Sequence, residues 1–226
     1  MQIPSDSTIA LVYLSPDSIN FEHFPLLIVQ IHLLVNLILQ NVAKHIQLTA
    51  AEIDLFSSLL ETRTLKSKQF LLEEGHICKH STFVQSGCLK GFTVDKNGFE
   101  HILSFATTGW WIADMYSLIT QQVGQFNIQA SSPSEVLLLS KTNQEKLYRE
   151  VPKFERFFRI LTENSLVASQ QRVVDNLSLS AEDRYQHFCE KYPSLVQTLP
   201  QKEIAAYIGV TPEFFSKMRS RLLKGR

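Results

Sequence analysis

Residues 201–223 read QKEIAAYIGVTPEFFSKMRSRLL, and this stretch predicts two short helices joined by a tight turn. The first helix ends at Gly209, where a chain that leaves a helix needs a left-handed residue. Thr211 is then expected to cap a second helix, with Pro212 in its first turn. Two short helices joined through a glycine turn are typical of a helix-turn-helix, and the small Ala205 allows the second helix to approach closely.

The second helix of this motif is predicted to be amphipathic. Phe215, Met218 and Leu222 recur at helical spacing and are expected to face inward. The other face carries polar and basic side chains of the kinds that contact base edges and phosphates. The candidate DNA-binding residues are Thr211, Pro212, Glu213, Ser216, Lys217, Arg219, Ser220 and Arg221. A generic helical hairpin with a solvated basic end is the alternative.

The charge distribution also indicates a local anionic partner. The 226 residues are 44% hydrophobic, and 22 basic residues balance 22 acidic ones, which fits an ordinary globular protein and excludes disorder. Residues 1–43 contain no Lys or Arg, whereas residues 211–226 carry five basic residues against Glu213 alone. A basic tip on a neutral chain favours contact with an anionic surface.

Cysteine usage and hydropathy predict a cytoplasmic protein without a membrane span. Three cysteines with no CxxC pair are typical of a reduced chain without a disulfide framework. The longest apolar run, Leu26 to Leu39, is shorter than the roughly 20 residues that cross a bilayer. We expect it to form a helix that extends to about Lys44.

Residues 65–140 have the pattern of a β domain. The Asn97-Gly98 pair is a strong hairpin signal, because both central positions of such a turn adopt positive φ. Many short strands separated by turns predict a sandwich, roll or barrel. The predicted strands are Gln69–Leu72, Thr82–Val84, Leu89–Val94, His101–Phe105, Asn127–Ala130 and Val136–Leu139.

A long helix is predicted to start at Pro152 and to run to about Leu177. One stripe along it has the 4-3-4-3 spacing of a seam between two paired helices, and small residues occupy its far end. The predicted dimer residues are Phe154, Phe158, Leu161, Ser165 and Ala168. Packing of this stripe against the chain's own β domain is the alternative.

Taken together, the chain resembles the Crp/Fnr family of bacterial transcription regulators over about residues 44–223, and most closely its short members. Three segments resemble the family's cyclic-nucleotide-binding jelly roll: 70–75 (FLLEEG), 83–87 (FVQSG) and 109–114 (GWWIAD). The resemblance implies an α+β fold with an N-terminal double-stranded β-helix domain, a long dimerisation helix and a C-terminal helix-turn-helix domain. The implied division is an N-terminal extension and helix at 1–43, a cyclic-nucleotide-binding-like β-roll at 44–150, a dimerisation helix at 151–179 and a DNA-binding domain at 180–226.

The family resemblance also implies a function and a set of partners. The expected protein is a homodimer that binds a double-stranded DNA operator, with Pro212, Glu213 and Lys217 at the base-reading positions. RNA polymerase is a further partner if the protein is an activator. An unknown small-molecule effector is expected in a pocket formed by Gly109, Trp110, Trp111, Ala113, Asp114, Gln125 and Asn127.

The nucleotide cassette of this roll is degenerate. Relatives that bind cyclic AMP have Gly-Glu for the ribose and Arg-Ser for the phosphate, whereas Ala113-Asp114 and Gly124-Gln125 align here. No basic residue occurs from Trp110 to Ser140. A buried phosphate without arginine lacks its bidentate partner, so we expect no response to cyclic AMP.

No metal, cofactor or catalytic site is expected. His76, Cys78 and His80 have zinc-like spacing, but they lie at a turn and lack a fourth ligand. The absence of cysteine before Cys78 argues against the four-cysteine iron–sulfur cluster of the oxygen-sensing branch. The chain has no P-loop and no hydrolase or metalloprotease motif, which argues against an enzyme.

The alternative function is a non-DNA-binding adaptor, in which the roll binds a protein partner or an unidentified metabolite and the C-terminal hairpin is structural. Steep salt dependence would distinguish DNA binding from protein docking.

Overall fold

Two four-stranded antiparallel sheets form the centre of the computed structural model, which describes residues 37–224. One sheet contains β1 (Leu60–Leu65), β3 (His80–Ser86), β6 (Trp111–Ile112) and β8 (Ser134–Ser140), in the order β1-β8-β3-β6. The other contains β2 (Phe70–Leu72), β4 (Cys88–Val94), β5 (Glu100–Thr107) and β7 (Asn127–Ala130), in the order β2-β7-β4-β5. This crossed-over topology is the predicted jelly roll.

The space between the sheets is filled by side chains that alternate inward along the strands. This roll core includes Val84 of β3, Leu89 of β4, Ile128 of β7, and Val136 and Leu138 of β8, all essentially inaccessible to water. The neighbours Leu137 and Leu139 point the opposite way, as the two-residue period of a strand requires.

Those outward side chains of β8 pack against helices. Residues 37–43 are helical and form α1, followed by α2 (Ala50–Ser58), α4 (Lys141–Glu150) and the start of α5 (Lys153–Ser178). A cluster of phenylalanines, Phe56, Phe154 and Phe157, is fully buried between these helices and β8. Thr49 caps α2 in a capping box with Glu52, as its sequence spacing predicts.

The remaining helices are α3 (Met115–Thr120), which lies between β6 and β7 in the chain, and four that follow the long helix: α6 (Ala181–Lys191), α7 (Leu195–Thr198), α8 (Gln201–Ile208) and α9 (Pro212–Lys224). We call α6–α9 the C-terminal helical unit. Its apolar side chains share one buried cluster with Phe92, Ile102 and Phe105 of β4 and β5. The helical unit is therefore packed on the outer face of the β4–β5 hairpin.

The turn of that hairpin differs from the predicted one. Gly98 has positive φ (+82°), but Asn97 does not, so the prediction for both central positions is wrong. The Asp95 carboxylate accepts hydrogen bonds from the N–H groups of Asn97 and Phe99, at 2.8 and 3.0 Å, and holds a longer loop. The sequence prediction also missed β1, β6 and α3.

Two predictions concern parts of the chain outside the described residues. These are the extension at 1–24 and most of the helix expected from Leu26. Within residues 37–224, no helix is long and apolar enough to cross a membrane.

Candidate DNA-binding surface and roll groove

The helix-turn-helix has the predicted geometry. Helix α8 ends at Gly209, whose φ of +75° is left-handed, and the Val210 N–H donates to the carbonyl of Ala205 at 3.0 Å. The Thr211 hydroxyl accepts a hydrogen bond from the N–H of Phe214 at 3.3 Å, so it caps α9, which begins at Pro212. Ala205 is fully buried where the two helices meet.

One face of α9 is buried in the helical unit, as predicted for Phe215 and Met218. The Phe215 ring contacts Tyr185 of α6 edge-on, with 5.2 Å between ring centres. Leu222 was expected to face inward, but 38% of it is exposed, so that prediction is wrong. The apolar cluster that covers Met218 does not extend to the next turn of the helix.

The opposite face of α9 is open to solvent. Thr211 and Pro212 are exposed at its start, and four polar candidates follow on one side: Glu213, Ser216, Lys217 and Ser220. Arg221 is exposed beside Glu182 of α6, with 3.5 Å between their charged atoms. Arg219 is half-buried on the flank of this face.

Lys217 is the base-reading candidate with the greatest freedom. It makes no ion pair within the described part of the chain, and none of its α9 neighbours is acidic except Glu213, one turn earlier. Six of the other candidates lie with Lys217 at the start or on the exposed face of α9, whereas Arg219 lies on its flank.

The predicted effector pocket does not form as one site. Trp110 stacks against Tyr192 at the end of α6, with 5.7 Å between ring centres. Trp111 packs among Phe83, Phe157 and Phe158, and its Nε1 donates to Asn41 Oδ1 at 3.1 Å. The two rings contact different parts of the molecule: Trp110, which precedes β6, contacts the helical unit, and Trp111 of β6 contacts the start of α5.

The other members of the predicted pocket are also separated. Gln125 is exposed, and Gly109 and Ala113 are half-buried. Asn127 is buried and accepts a hydrogen bond from the N–H of Glu74 at 3.0 Å. The prediction of a shared pocket for these residues is therefore corrected.

Asp114 is a buried carboxylate at the position of the nucleotide cassette. Its Oδ1 accepts from the N–H of Ser117 at 3.1 Å and caps α3, while Oδ2 has no hydrogen-bond partner among residues 37–224. Gly124 approaches it so closely that a Cβ there would lie 2.1 Å from Oδ2. The cassette is thus closed around a carboxylate and has no room for a longer side chain at position 124.

A groove of about 580 Å³ opens instead at the edge of the roll, between β2, β3 and the segment that joins them. We call it the edge groove. Four basic or imidazole side chains line it: Arg63, His76, Lys79 and His80. None of the predicted pocket residues lines it. Arg63 was missed because its strand, LETRTL, is too polar to be recognised as β structure.

The His76–Cys78–His80 trio lies along this groove. Cys78 is buried, its N–H donates to the Ser117 hydroxyl at 2.9 Å, and burial raises the pKa of its thiol. Among the described residues, no group of three or more potential ligands is arranged to hold a metal ion.

Two charged residues connect the roll to the helical unit. Lys90 of β4 is almost completely buried and contacts both Glu100 of β5 and Glu203 of α8, the latter at 3.4 Å. Arg172 of α5 donates to the carbonyls of Ile102 (2.6 Å) and Tyr207 (2.7 Å). These contacts fix α8, and with it α9, relative to the sheet.

The predicted dimer stripe on α5 divides into two parts. Phe154 and Phe158 are buried in the protomer's own core against α2, α4 and Trp111, so they cannot contact a partner and their assignment is corrected. Leu161 is half-buried at the edge of that core. Ser165 and Ala168 are exposed. The alternative of packing against the chain's own domain is correct for the first half.

The distal half of α5 has an exposed apolar face that the sequence analysis did not single out. Leu166, Val173 and Leu177 are separated by seven and four residues, and Gln170 completes a 4-3-4 spacing. Val167 and Val174 flank them and are also exposed. This is the period of a two-helix seam.

A jelly roll joined by a long helix to an exposed helix-turn-helix is the architecture of a two-domain transcription regulator. Comparison with known proteins agrees: residues 62–151 match the family described as cyclic nucleotide-binding domain. The chain is 22% identical to the anaerobic regulatory protein of Haemophilus influenzae over 78% of this chain and 73% of that one. It is 23% identical to electron transport regulator A of Shewanella oneidensis over 78% and 75%. The fold and these similarities support a transcription regulator of the Crp/Fnr type.

Solved structures show the same fold. FixK2 from Bradyrhizobium japonicum superposes with a TM-score of 0.65 at 16% identity, covering 74% of this chain and 85% of that one. The c-di-GMP-responsive regulator CLP of Xanthomonas campestris gives 0.64 at 16% identity, covering 78% and 93%. At these identities the likeness concerns the fold.

Proposed function

We propose that this Crp/Fnr regulator is a homodimer that binds a specific DNA operator through α9 and does not respond to cyclic AMP. The observation that carries the DNA-binding role is the exposed polar face of α9, which follows a correctly capped turn and lies opposite a buried apolar face. The protein acts in the cytoplasm, where bacterial DNA lies, and has no catalytic role. The division at 1–43, 44–150, 151–179 and 180–226 belongs to the same proposal.

In this proposal, α9 enters the major groove with its first turns against the base edges. Lys217 is the type of side chain that reaches guanine O6 or N7, and Glu213 is the type that accepts from cytosine N4. Thr211, Ser216 and Ser220 supply hydroxyl groups, while Arg219 and Arg221 lie nearer the phosphates. Phosphate contacts position the helix, and base contacts specify the sequence.

Dimerisation is proposed through the distal apolar face of α5. Leu166, Val173 and Leu177 are too large and too exposed to be ordinary isolated surface residues, and their spacing fits a two-helix seam. A two-fold dimer would place its two copies of α9 one DNA turn apart, with half-sites about 10 base pairs apart centre to centre. RNA polymerase is the further partner if the regulator is an activator.

Independence from cyclic AMP is supported by the electrostatics around Asp114. A cyclic phosphate carries a full negative charge, which is costly to remove from water without donors to replace its hydration shell. The cassette offers a buried carboxylate with one unpartnered oxygen, close to Gly124, and no arginine. A second negative charge there would be repelled.

Selection of bound sequences from random DNA tests the proposal, because it reports binding, dyad symmetry and specificity together. Lys217→Ala is expected to weaken binding by about 1–3 kcal/mol and to relax preference at one base per half-site. Lys146→Ala on α4, an exposed lysine outside the helical unit, is the matched control and should change neither. Millimolar cyclic AMP should leave the affinity unchanged.

Several results would contradict the proposal. If no sequence is enriched, or if binding does not weaken steeply as salt rises, the protein is an adaptor and not a DNA-binding regulator. If Lys217→Ala changes neither affinity nor preference, α9 does not read the groove as described. Tighter DNA binding with micromolar cyclic AMP would contradict the proposal that the cassette around Asp114 does not bind this ligand.

A further inference from the structure

The edge groove belongs to the inside of the roll, although it opens at the rim. Arg63 of β1 lies directly opposite Val136 of β8, and Val136 is buried in the roll core. Directly opposite residues of an antiparallel pair point to the same face, so the Arg63 side chain projects from the inner face of the sheet. His80 and Thr82 are two residues apart on β3 and therefore share that face.

The wall formed by β1, β3 and the segment before β3 carries the cationic side chains of the groove. Arg63, Lys79, His76 and His80 line the groove, and the single acidic side chain among its described lining residues is Glu73. Burial is the main cause that lowers the pKa of His80; nearby Glu61 opposes it, and Arg63 and Lys79 lower the pKa further. His80 is thus neutral near pH 7 and adds a hydrogen-bonding group, but no charge, to this wall.

Arg63 has donors to spare for a ligand. Its guanidinium contacts Glu61 at 2.9 Å, and the two side chains are 42% and 58% exposed. Such an exposed ion pair is worth little, about 0–1 kcal/mol, because water screens it. A guanidinium has five N–H donors in a planar fork, so a second carboxylate can bind beside or in place of Glu61.

The facing wall of the groove is apolar. It contains Leu72 of β2 and Ile128 of β7, while the exposed Ile77 and Val123 add apolar surface to the lining. The volume of about 580 Å³ falls within the range of small-molecule sites, about 300–1,000 Å³. One wall thus suits an anionic head, and the other suits a hydrocarbon body.

We infer that the edge groove is the effector site and that it takes a small organic carboxylate with an apolar body, held at its carboxylate by Arg63. This inference rests on the proposed function, since it names the class of signal to which the DNA-binding regulator responds. The site is separate from the closed cassette at Asp114, and it replaces the pocket expected around Trp110 and Trp111.

Titration calorimetry on the full chain tests the inference directly, with octanoate and phenylacetate as probes and octanamide as the uncharged analogue. At least one carboxylate is expected to bind, octanamide at least tenfold more weakly, and inorganic phosphate not at all. Arg63→Gln is expected to weaken carboxylate binding at least tenfold. Arg149→Gln on α4, an exposed arginine outside the groove, should leave the affinity unchanged.

Each remaining outcome decides a separate question. Absence of heat with both carboxylates, equal affinity for octanamide, or unchanged affinity in Arg63→Gln that is folded by circular dichroism would overturn the effector site. The calorimetry contains no DNA, so its result is independent of operator binding. Carboxylate binding by a protein that selects no DNA would keep the site and refute the regulator function.

Discussion

At the scale of single residues, Lys90 is the most constrained charge in the structure. Only 2% of it is exposed, and it contacts Glu100 and Glu203 from two different elements. Glu203 Oε2 already lacks a hydrogen-bond partner within the described chain. Removing the lysine would leave this carboxylate buried without compensation.

We therefore expect Lys90→Met to lower the free energy of unfolding by about 3–5 kcal/mol, as measured by urea denaturation. The second change Glu203→Gln should restore part of the loss, because it removes the uncompensated charge. Lys141→Met, which breaks an exposed pair with Glu145, is the control and should cost about 0–1 kcal/mol. A loss in Lys90→Met no larger than in the control would show that the buried pair contributes nothing.

The position of Lys90 was not predictable from its strand. In CLKGFTV, residues 88–94, the two-residue period places Lys90 on the same face as Cys88 and Phe92, and this mixed face does not predict whether the lysine is covered. It does point away from the roll core, but the helical unit covers that face. The two-residue period of a strand shows which side chains share a face. It does not show whether another part of the chain packs against that face.

At the scale of elements, α5 combines a core helix and an exposed one. The aromatic residues from Phe154 to Phe158 are buried in the protomer, whereas Leu177 is 84% exposed near the other end. An exposed leucine contributes little to the stability of the monomer, so its substitution isolates assembly from folding.

Leu177→Asp is expected to convert a dimer into monomers in analytical ultracentrifugation, with little change in the melting temperature of the protomer. The charge would be buried without a partner only in the dimer seam. Leu161→Asp gives the opposite pattern, since Leu161 packs against the protomer's core and its change should lower the melting temperature. A Leu177→Asp protein that stays dimeric would place the interface elsewhere.

The start and end of α5 were predictable from its sequence. Which of its side chains pack within the protomer, and which remain exposed, was not. Pro152 and the run of helix-forming residues locate the helix within one residue at each end. The spacing of Phe154, Phe158 and Leu161 fits a seam and a core equally well, because both bury the same kind of stripe. Only the position of α2, α4 and Trp111 distinguishes the two.

A pH-dependent contact joins α5 to the helical unit. His187 Nδ1 of α6 lies 3.1 Å from Asp175 Oδ2 of α5, and this hydrogen bond raises the pKa of His187. A raised folded-state pKa means that the contact stabilises the fold fully below the unfolded value of about 6.5, and that the stabilisation is lost as pH rises through the raised value.

The stability difference between the natural protein and His187→Gln should therefore be larger at pH 6 than at pH 8.5, measured by urea unfolding at each pH. His76→Gln removes an exposed histidine that makes no ion pair among the described residues, and it serves as the control. A difference that does not vary with pH would rule out the charged form of His187 as the source.

At the scale of the whole molecule, the roll and the helical unit share one buried interface, and Arg172 bridges it. Hydrogen bonds from charged groups contribute about 1.5–3 kcal/mol each, and this guanidinium donates to carbonyls on both sides. It also stacks 3.9 Å from the centre of the Tyr207 ring.

Arg172→Met is expected to speed amide hydrogen exchange in α8 while leaving the inner strands of the roll protected. Arg159→Met, which removes an exposed arginine of the same helix, is the control. Unchanged exchange in α8 would mean that the apolar cluster around Phe105 holds the two parts together without the arginine.

The separation of the two tryptophans gives the molecule a pair of optical reporters. They are the sole tryptophans of the chain, and their rings report on different contacts: Trp110 on Tyr192 of the helical unit, and Trp111 on the aromatic base of α5. Indole emission shifts with exposure and quenching around each ring. In Trp111→Phe the remaining Trp110 reports on the contact between the roll and the helical unit. In Trp110→Phe the remaining Trp111 reports on the packing at the start of α5. If a ligand bound in the edge groove alters either contact, the change can therefore be followed at that contact with no added dye.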